Sequence, residues 1–244
     1  MRDLSFKQGD RTVVDGVTFE VPAKASLAIM GRTGSGKSTL AALLPRLLPT
    51  PDDAVFLDDT DVQDIRLRSL RRKIGYAQQE PFLFSSTVAR NIAFALDDPS
   101  APDAMDRIRR AAEEAAVAEE IDLLPDGYDT VVGERGVQLG RQKQRIALAR
   151  SSTEPAVLVL DDPLSAVDAR TESVILRALD RAGEGRTLVL VTNRVAAARR
   201  MSSILVLEDG RVTERGTHDE LVKAGNLYSK LAERQQIEAE LSTL

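Results

Sequence analysis

The 244-residue chain has no cysteine and one histidine, which excludes disulfides, thiolate nucleophiles, iron–sulfur clusters and histidine-rich metal sites. It also lacks a basic excess: 33 lysines and arginines stand against 38 acidic residues, a net charge of -5 with a pI near 5.2. Nucleic acid would require a basic face, so DNA and RNA are not expected partners. No apolar run reaches the roughly 18–20 residues that cross a bilayer, and the N-terminus has no signal-peptide pattern. The chain is therefore expected not to enter a membrane by itself, and the absence of cysteine fits a cytosolic setting. What is present, 43% apolar and 29% charged residues, suffices for one sizeable core or two small ones.

Short β-branched runs recur at Ser26–Met30, Ala156–Leu160, Thr187–Thr192 and Ser203–Leu207. Continuous apolar runs of this length suit strands buried on both faces. Helical patterns follow at Lys37–Leu48, Gln142–Ser152 and Asp168–Ala182, so strand alternates with helix as in a mainly parallel α/β sheet. An antiparallel piece is expected near the N-terminus, in Val13–Val21. Pro99–Leu124 is rich in alanine, glutamate and arginine at helical spacing, and 82–150 reads as a helical subdomain inserted into the core. The remainder of a single domain spanning 1–244 is then a core of about 1–81 and 151–225, with a charged amphipathic helix at about 226–241.

Gly31-Arg32-Thr33-Gly34-Ser35-Gly36-Lys37-Ser38 matches G-x-x-x-x-G-K-[ST], between an apolar strand and a helix that continues with Thr39, the context the motif needs. Glycines let backbone amides close around phosphate oxygens, and the helix N-terminus adds partial positive charge. Lys37 is expected to bridge the β- and γ-phosphates of ATP, and the Ser38 hydroxyl to ligate Mg²⁺. Leu158-Val-Leu-Asp161-Asp162 is an apolar strand ending in two acids, a place from which Asp161 can hold a magnesium-bound water. The fold class expected is thus a P-loop NTPase (RecA-like) core with a mainly parallel sheet, an N-terminal antiparallel β piece and an inserted helical subdomain.

Further motifs, in order, resemble the nucleotide-binding domain of ABC transporters of the exporter type, from about Leu4 to Leu231. Ile74-Gly-Tyr-Ala-Gln-Gln79-Glu-Pro-Phe-Leu-Phe84 resembles the Q-loop, with Thr87–Phe94 as the exporter phrase that follows it. Gly127–Gly136, which includes Glu134, resembles the segment facing the transmembrane coupling helices. Asp161–Asp168 resembles the acidic motif running into the D-loop residues Ser165 and Asp168, and Gly216–Leu221 the C-terminal phrase. The resemblance implies that Gln79 reaches Mg²⁺ and the attacking water. It also implies two such domains closing head to tail on two ATP molecules, and a transmembrane domain that they drive from the cytoplasmic face of the membrane.

Four departures from the family pattern fall at functional positions. The catalytic glutamate is replaced by Asp162, whose carboxylate falls about an ångström or more short of the water, a shift that can cost roughly a hundredfold. The switch histidine is replaced by Asn193, which carries no charge and cannot titrate. His218, in the C-terminal phrase, reads as a helix-start or surface residue rather than a substitute. The signature Leu-Ser-Gly-Gly-Gln becomes Leu139-Gly140-Arg141-Gln142, one residue shorter. Arg141 either blocks the partner's γ-phosphate or replaces the missing amides as a donor, and blockage is the favoured reading. The aromatic residue that stacks on adenine is replaced by Gln8, where stacking would be worth roughly 1–3 kcal/mol; Phe6 reads as core.

Asp162 and Asn193 weaken the site on this chain's own phosphate loop, whereas Gly140 and Arg141 weaken the partner's. The expectation is an ATP-binding subunit with slow turnover, paired with a more intact second domain in preference to a copy of itself. The alternatives are a competent ATPase working through Asp162 and a regulatory or decayed module that no longer cycles. A soluble non-transport member of the family is disfavoured by the Glu80–Phe84 and Gly133–Gly136 segments.

Overall fold

The computed structural model describes residues 1–133, 136–137, 139–140, 142–151, 153, 155–164 and 169–241. Glu134, Arg141, Ser165 and Asp168 lie outside the described residues. In chain order the elements are β1 (Leu4–Gln8), β2 (Arg11–Val17), β3 (Ser26–Gly31), α1 (Lys37–Leu43), β4 (Phe56–Leu57), β5 (Thr60–Asp61), α2 (Leu67–Lys73) and β6 (Ile74–Ala77). They continue with β7 (Ser86–Thr87), α3 (Val88–Ala93), α4 (Ala104–Glu114), α5 (Ala118–Asp122), β8 (Val131–Val132), α6 (Gln142–Ser151), β9 (Val157–Asp161) and α7 (Ala169–Ala182). Last come β10 (Thr187–Val191), α8 (Val195–Ala198), β11 (Ser203–Glu208), β12 (Arg211–Gly216), α9 (His218–Ala224) and α10 (Leu227–Leu241). These elements fall into two compact units, Met1–Arg71 with Thr187–Leu244, and Arg72–Arg186.

In the first unit β3 lies between β10 and β11, parallel to both, and β12 closes antiparallel on β11. Leu27, Ala28, Ile29 and Met30 are all buried, as expected of a strand covered on both faces. The antiparallel piece begins earlier than 13–21: β1 pairs with β2 across a tight turn at Gly9, with Gln8 opposite Arg11. The alternation in Leu4–Gln8 is too short to stand out from a loop, and β2 ends at Val17, short of Val21. Helix α1 is also shorter than expected, ending at Leu43 instead of Leu48. Pro45 has no N–H to give Ala41 and so cannot continue the ladder. Arg46 turns out at φ 52° and donates to the carbonyls of Val62 and Ile65 at 3.1 and 3.0 Å.

The second unit contains the parallel pair β6 and β9, with Ala77 beside Leu160, and the helices α3 to α7. The Pro99–Leu124 stretch is two helices, because the chain turns at Ala116 with φ 53°. Arg145 on α6, 4% exposed, fixes that corner by donating to the Ala116 carbonyl at 2.7 Å and to Glu120 at 2.6 Å. The Thr87–Phe94 phrase has a local reason as well. Thr87 caps α3 by accepting from the Arg90 amide, and fully buried Asn91 accepts from Phe84 N–H and donates to Phe84 and Thr87 carbonyls at 2.9, 3.0 and 3.0 Å.

Candidate functional site

In a parallel sheet, loops that leave the carboxyl ends of neighbouring strands share one edge, and ligands bind there. In the first unit Val191 of β10 is beside Ile29 of β3, and Thr192 N–H donates to the Ile29 carbonyl at 3.1 Å. The Gly31–Ser38 loop and Asn193 therefore leave the same edge. In the second unit the β6–β9 register does the same for Gln79 and for Asp161 and Asp162.

The phosphate loop owes its path to close backbone approach. Gly31 has φ 151°, and a Cβ there would run into the Leu207 carbonyl and Ser35 Oγ. Gly36, at φ 96°, would place a Cβ 2.5 Å from the Val13 carbonyl. Neither position admits a side chain without moving backbone. Because its N-cap is Gly36, α1 starts with no side-chain cap and no acid in its first turn, which suits an anionic ligand at its amides. Ser35 Oγ is buried and finds no hydrogen-bond partner among the described residues. Lys37 Nζ reaches back over the loop to the carbonyls of Gly31 and Arg32, at 3.0 and 2.9 Å.

Beside this loop is a pocket of about 290 Å³ in which Gly34, Gly36, Lys37, Ser38 and Thr39 meet Gln8, Arg11 and Val13. Gln8 is thus brought to the loop, and Arg11, which the sequence reading passed over, comes with it across the hairpin. Phe6 is half-buried on β1 and is not among the pocket residues. Arg32 and Thr33 are exposed loop residues.

In the second unit Asp161 is buried, and Tyr76 donates its hydroxyl to Asp161 Oδ2 at 3.1 Å. Burial, and then the charge of Asp161, push the Tyr76 phenol far above its ordinary value, so it remains a donor. Asp162 takes φ 45° at the end of β9, half-buried, and Gln79 is exposed. Leu139 is half-buried, Gly140 is exposed with nothing among the described residues within 4 Å of where a Cβ would stand, and Gln142 opens α6. His218 is the first residue of α9, behind the capping box of Thr217 and Glu220, and its Nδ1 meets the Tyr228 hydroxyl at 2.8 Å. That is the structural place expected for it.

Residues 14–165 match the family model described as ABC transporter. The chain is 43% identical over 232 residues to the Bacillus subtilis ABC transporter ATP-binding protein YfiB, covering 94% of this chain and 39% of that protein. To the ATP-dependent lipid A-core flippase of Aromatoleum aromaticum it is 42% identical over 235 residues, 95% of this chain and 39% of the flippase. Among solved structures, a bacterial Atm1-family ABC exporter with ATP bound superposes with a TM-score of 0.88 at 36% identity, covering 96% of this chain and 41% of that one. The chain spans about two-fifths of the length of each of these relatives. A glycine-lined phosphate loop after a buried parallel strand, together with likeness of this extent, means that the chain belongs to the ABC transporter family, as an ATP-binding domain of the exporter type.

Proposed function

We propose that the domain binds Mg-ATP on the Gly31–Ser38 loop, hydrolyses it slowly, and closes with a second nucleotide-binding domain to drive an exporter's transmembrane domain at the cytoplasmic face of the membrane. The observation that carries the reading is the uncapped, side-chain-free cradle at Gly31 and Gly36 with Lys37 held across it. Phosphate oxygens are stronger acceptors for Lys37 Nζ than the Gly31 and Arg32 carbonyls to which it donates here. The donors assigned to the metal are hard oxygens: the Ser38 hydroxyl, the Gln79 amide and the Asp161 carboxylate. Among the described residues no group of three or more His, Cys, Asp or Glu could hold a metal alone. Such a sparse set fits Mg²⁺, which takes its remaining ligands from phosphates and water. The metal supplies charge neutralisation at the phosphates when bound.

Slow turnover rests on Asp162 and Asn193 at the glutamate and histidine places. In the signature segment Leu139–Gln142, Gly140 and Arg141 weaken the partner's site, and Ser165 and Asp168 are carried over as the D-loop. An intact partner is therefore favoured over a second copy. Residues 82–150 are read as the inserted helical subdomain, with its Gly127–Gly136 segment facing the transmembrane coupling helices. An aromatic group on the second unit supports an apolar partner: Phe82, Phe84 and Phe94 are 55%, 38% and 65% exposed, with neighbouring ring centroids 5.2 and 4.8 Å apart. No helix among the described residues is long and apolar enough to cross a membrane.

The test is ATP turnover by the purified chain, with Lys37→Ala as the inactive control. Asp162→Glu is expected to raise the rate by roughly tenfold to a hundredfold, since one methylene restores the reach to the water. Wild-type turnover of tens per second, abolished by Asp162→Asn and unimproved by Asp162→Glu, would establish a competent site working through the aspartate. Failure to bind ATP at millimolar concentration would leave only a non-cycling module.

A further inference from the structure

The loop that carries Asn193 is held by a residue far along the chain. Thr192 is fully buried and its Oγ1 accepts from Arg194 N–H at 3.0 Å. Across the loop, Gln235 of α10 makes two bonds with one carboxamide: Nε2 donates to the Asn193 carbonyl at 2.6 Å, and Oε1 accepts from Val195 N–H at 2.8 Å. The amide orientation is fixed by its neighbours, because a flip would set donor against donor and acceptor against acceptor. Val195 opens α8, whose N-cap Arg194 offers no side-chain cap.

Helix α10 is itself anchored where it begins. Tyr228 is fully buried, its N–H donates to Glu214 Oε1 at 3.1 Å, and its hydroxyl meets His218. Gln235 lies seven residues on, two helical turns, and so on nearly the same face as Tyr228. Beyond Gln235 the helix is exposed through Leu241. The geometry thus joins an anchored C-terminal helix to the backbone on both sides of Arg194, next to the residue assigned to the γ-phosphate.

We propose that Gln235 is a positioning residue for Asn193, through which α10 sets where the switch loop stands relative to the triphosphate. This rests on the reading of Asn193 as the residue facing the γ-phosphate. The donor half of the carboxamide holds the Asn193 carbonyl, while the acceptor half substitutes for the missing cap of α8. The two halves can therefore be separated: Gln235→Glu keeps an acceptor for Val195 but loses the donor to Asn193, and Gln235→Leu loses both.

The experiment uses the ¹⁵N-labelled full chain titrated with Mg-ATP, following the Gly36 amide and the Asn193 side-chain amide, together with single-turnover hydrolysis and thermal unfolding. In the wild type both resonances shift. In Gln235→Glu and Gln235→Leu the Gly36 shift and the ATP Kd stay within about twofold, the Asn193 shift is lost and the rate falls about tenfold, while only Gln235→Leu loses thermal stability. Asn193→Ala with Gln235→Leu is expected to be no slower than Asn193→Ala alone, as required if the glutamine acts through that side chain. An unchanged Asn193 shift in both variants, or additive rate losses, would overturn the proposal and leave Gln235 as a helix cap. Absence of any Gly36 shift in the wild type would instead show that the ATP reading has failed, and this inference with it.

Discussion

Tyr76 and Asp161 are 85 residues apart in the chain, yet the parallel register that sets Tyr76 beside Val159 brings the phenol hydroxyl to the carboxylate. Such a bond fixes the rotamer of a carboxylate assigned to a metal, and removing a supporting group of this kind typically weakens metal binding by about tenfold to a hundredfold. Tyr76→Phe is expected to raise the Mg²⁺ concentration for half-maximal turnover by about tenfold with little change in ATP affinity without metal. Titrating Mg²⁺ at fixed ATP measures it, and an unchanged midpoint would leave Tyr76 as packing alone. The raised phenol keeps its proton throughout the neutral range, so the wild-type pH profile should show no step from this residue. The sequence disclosed Asp161 because a strand ending in acids has a local pattern. It hid Tyr76 and Arg11, since each reaches its place only through strand register, Arg11 opposite Gln8 in the hairpin.

One helix start was legible: His218 reads as a helix-start residue and opens α9, where Thr217 Oγ1 accepts from Glu220 N–H at 3.4 Å and Glu220 Oε2 accepts from Thr217 N–H at 2.8 Å. Helix α1 ends about one turn before its apolar spacing does, because that spacing continues past Pro45 while the missing N–H stops the ladder. The hairpin β4–β5 has two residues per strand, too few for any period; it is held by Asp61, which accepts from the amides of Asp53 and Gln63 at 2.5 and 2.9 Å. The cap of α9 also sets a pH dependence. Bonds from Thr217, backbone first, hold the Glu220 carboxyl below its ordinary 4.5. A depressed value in the folded state means that the ionised form stabilises the fold above pH 4.5, and that this contribution is lost as pH falls through the folded value. Glu220→Ala should therefore unfold more readily than wild type at neutral pH, with the difference shrinking below about pH 4.5. Urea unfolding at pH 7 and pH 3.5 checks the sign, and a gap that widens in acid would refute the assignment.

Over the whole molecule, the departures divide between two kinds of surface. Asp162 and Asn193 follow β9 and β10 and would act on ATP held by this chain, whereas Gly140 and Arg141 precede α6 and would act on ATP held by a partner. A pair of identical chains would place a short carboxylate, an uncharged switch residue and an altered signature at both sites. Paired with a domain having the glutamate, the histidine and Leu-Ser-Gly-Gly-Gln, this chain's phosphate loop would face an intact signature, and only the other site would meet Gly140 and Arg141. ATP-dependent association should then favour the mixed pair. With a non-hydrolysable ATP analogue, size-exclusion chromatography is expected to show this chain alone as a monomer and the mixture as a dimer. Replacing Leu139–Gln142 by Leu-Ser-Gly-Gly-Gln should let the chain pair with itself, because the γ-phosphate regains amide donors at a helix start with no side chain in the way. If the unaltered chain dimerised alone as readily as the mixture, the signature departure would have no bearing on closure, and the preference for an unlike partner would fall.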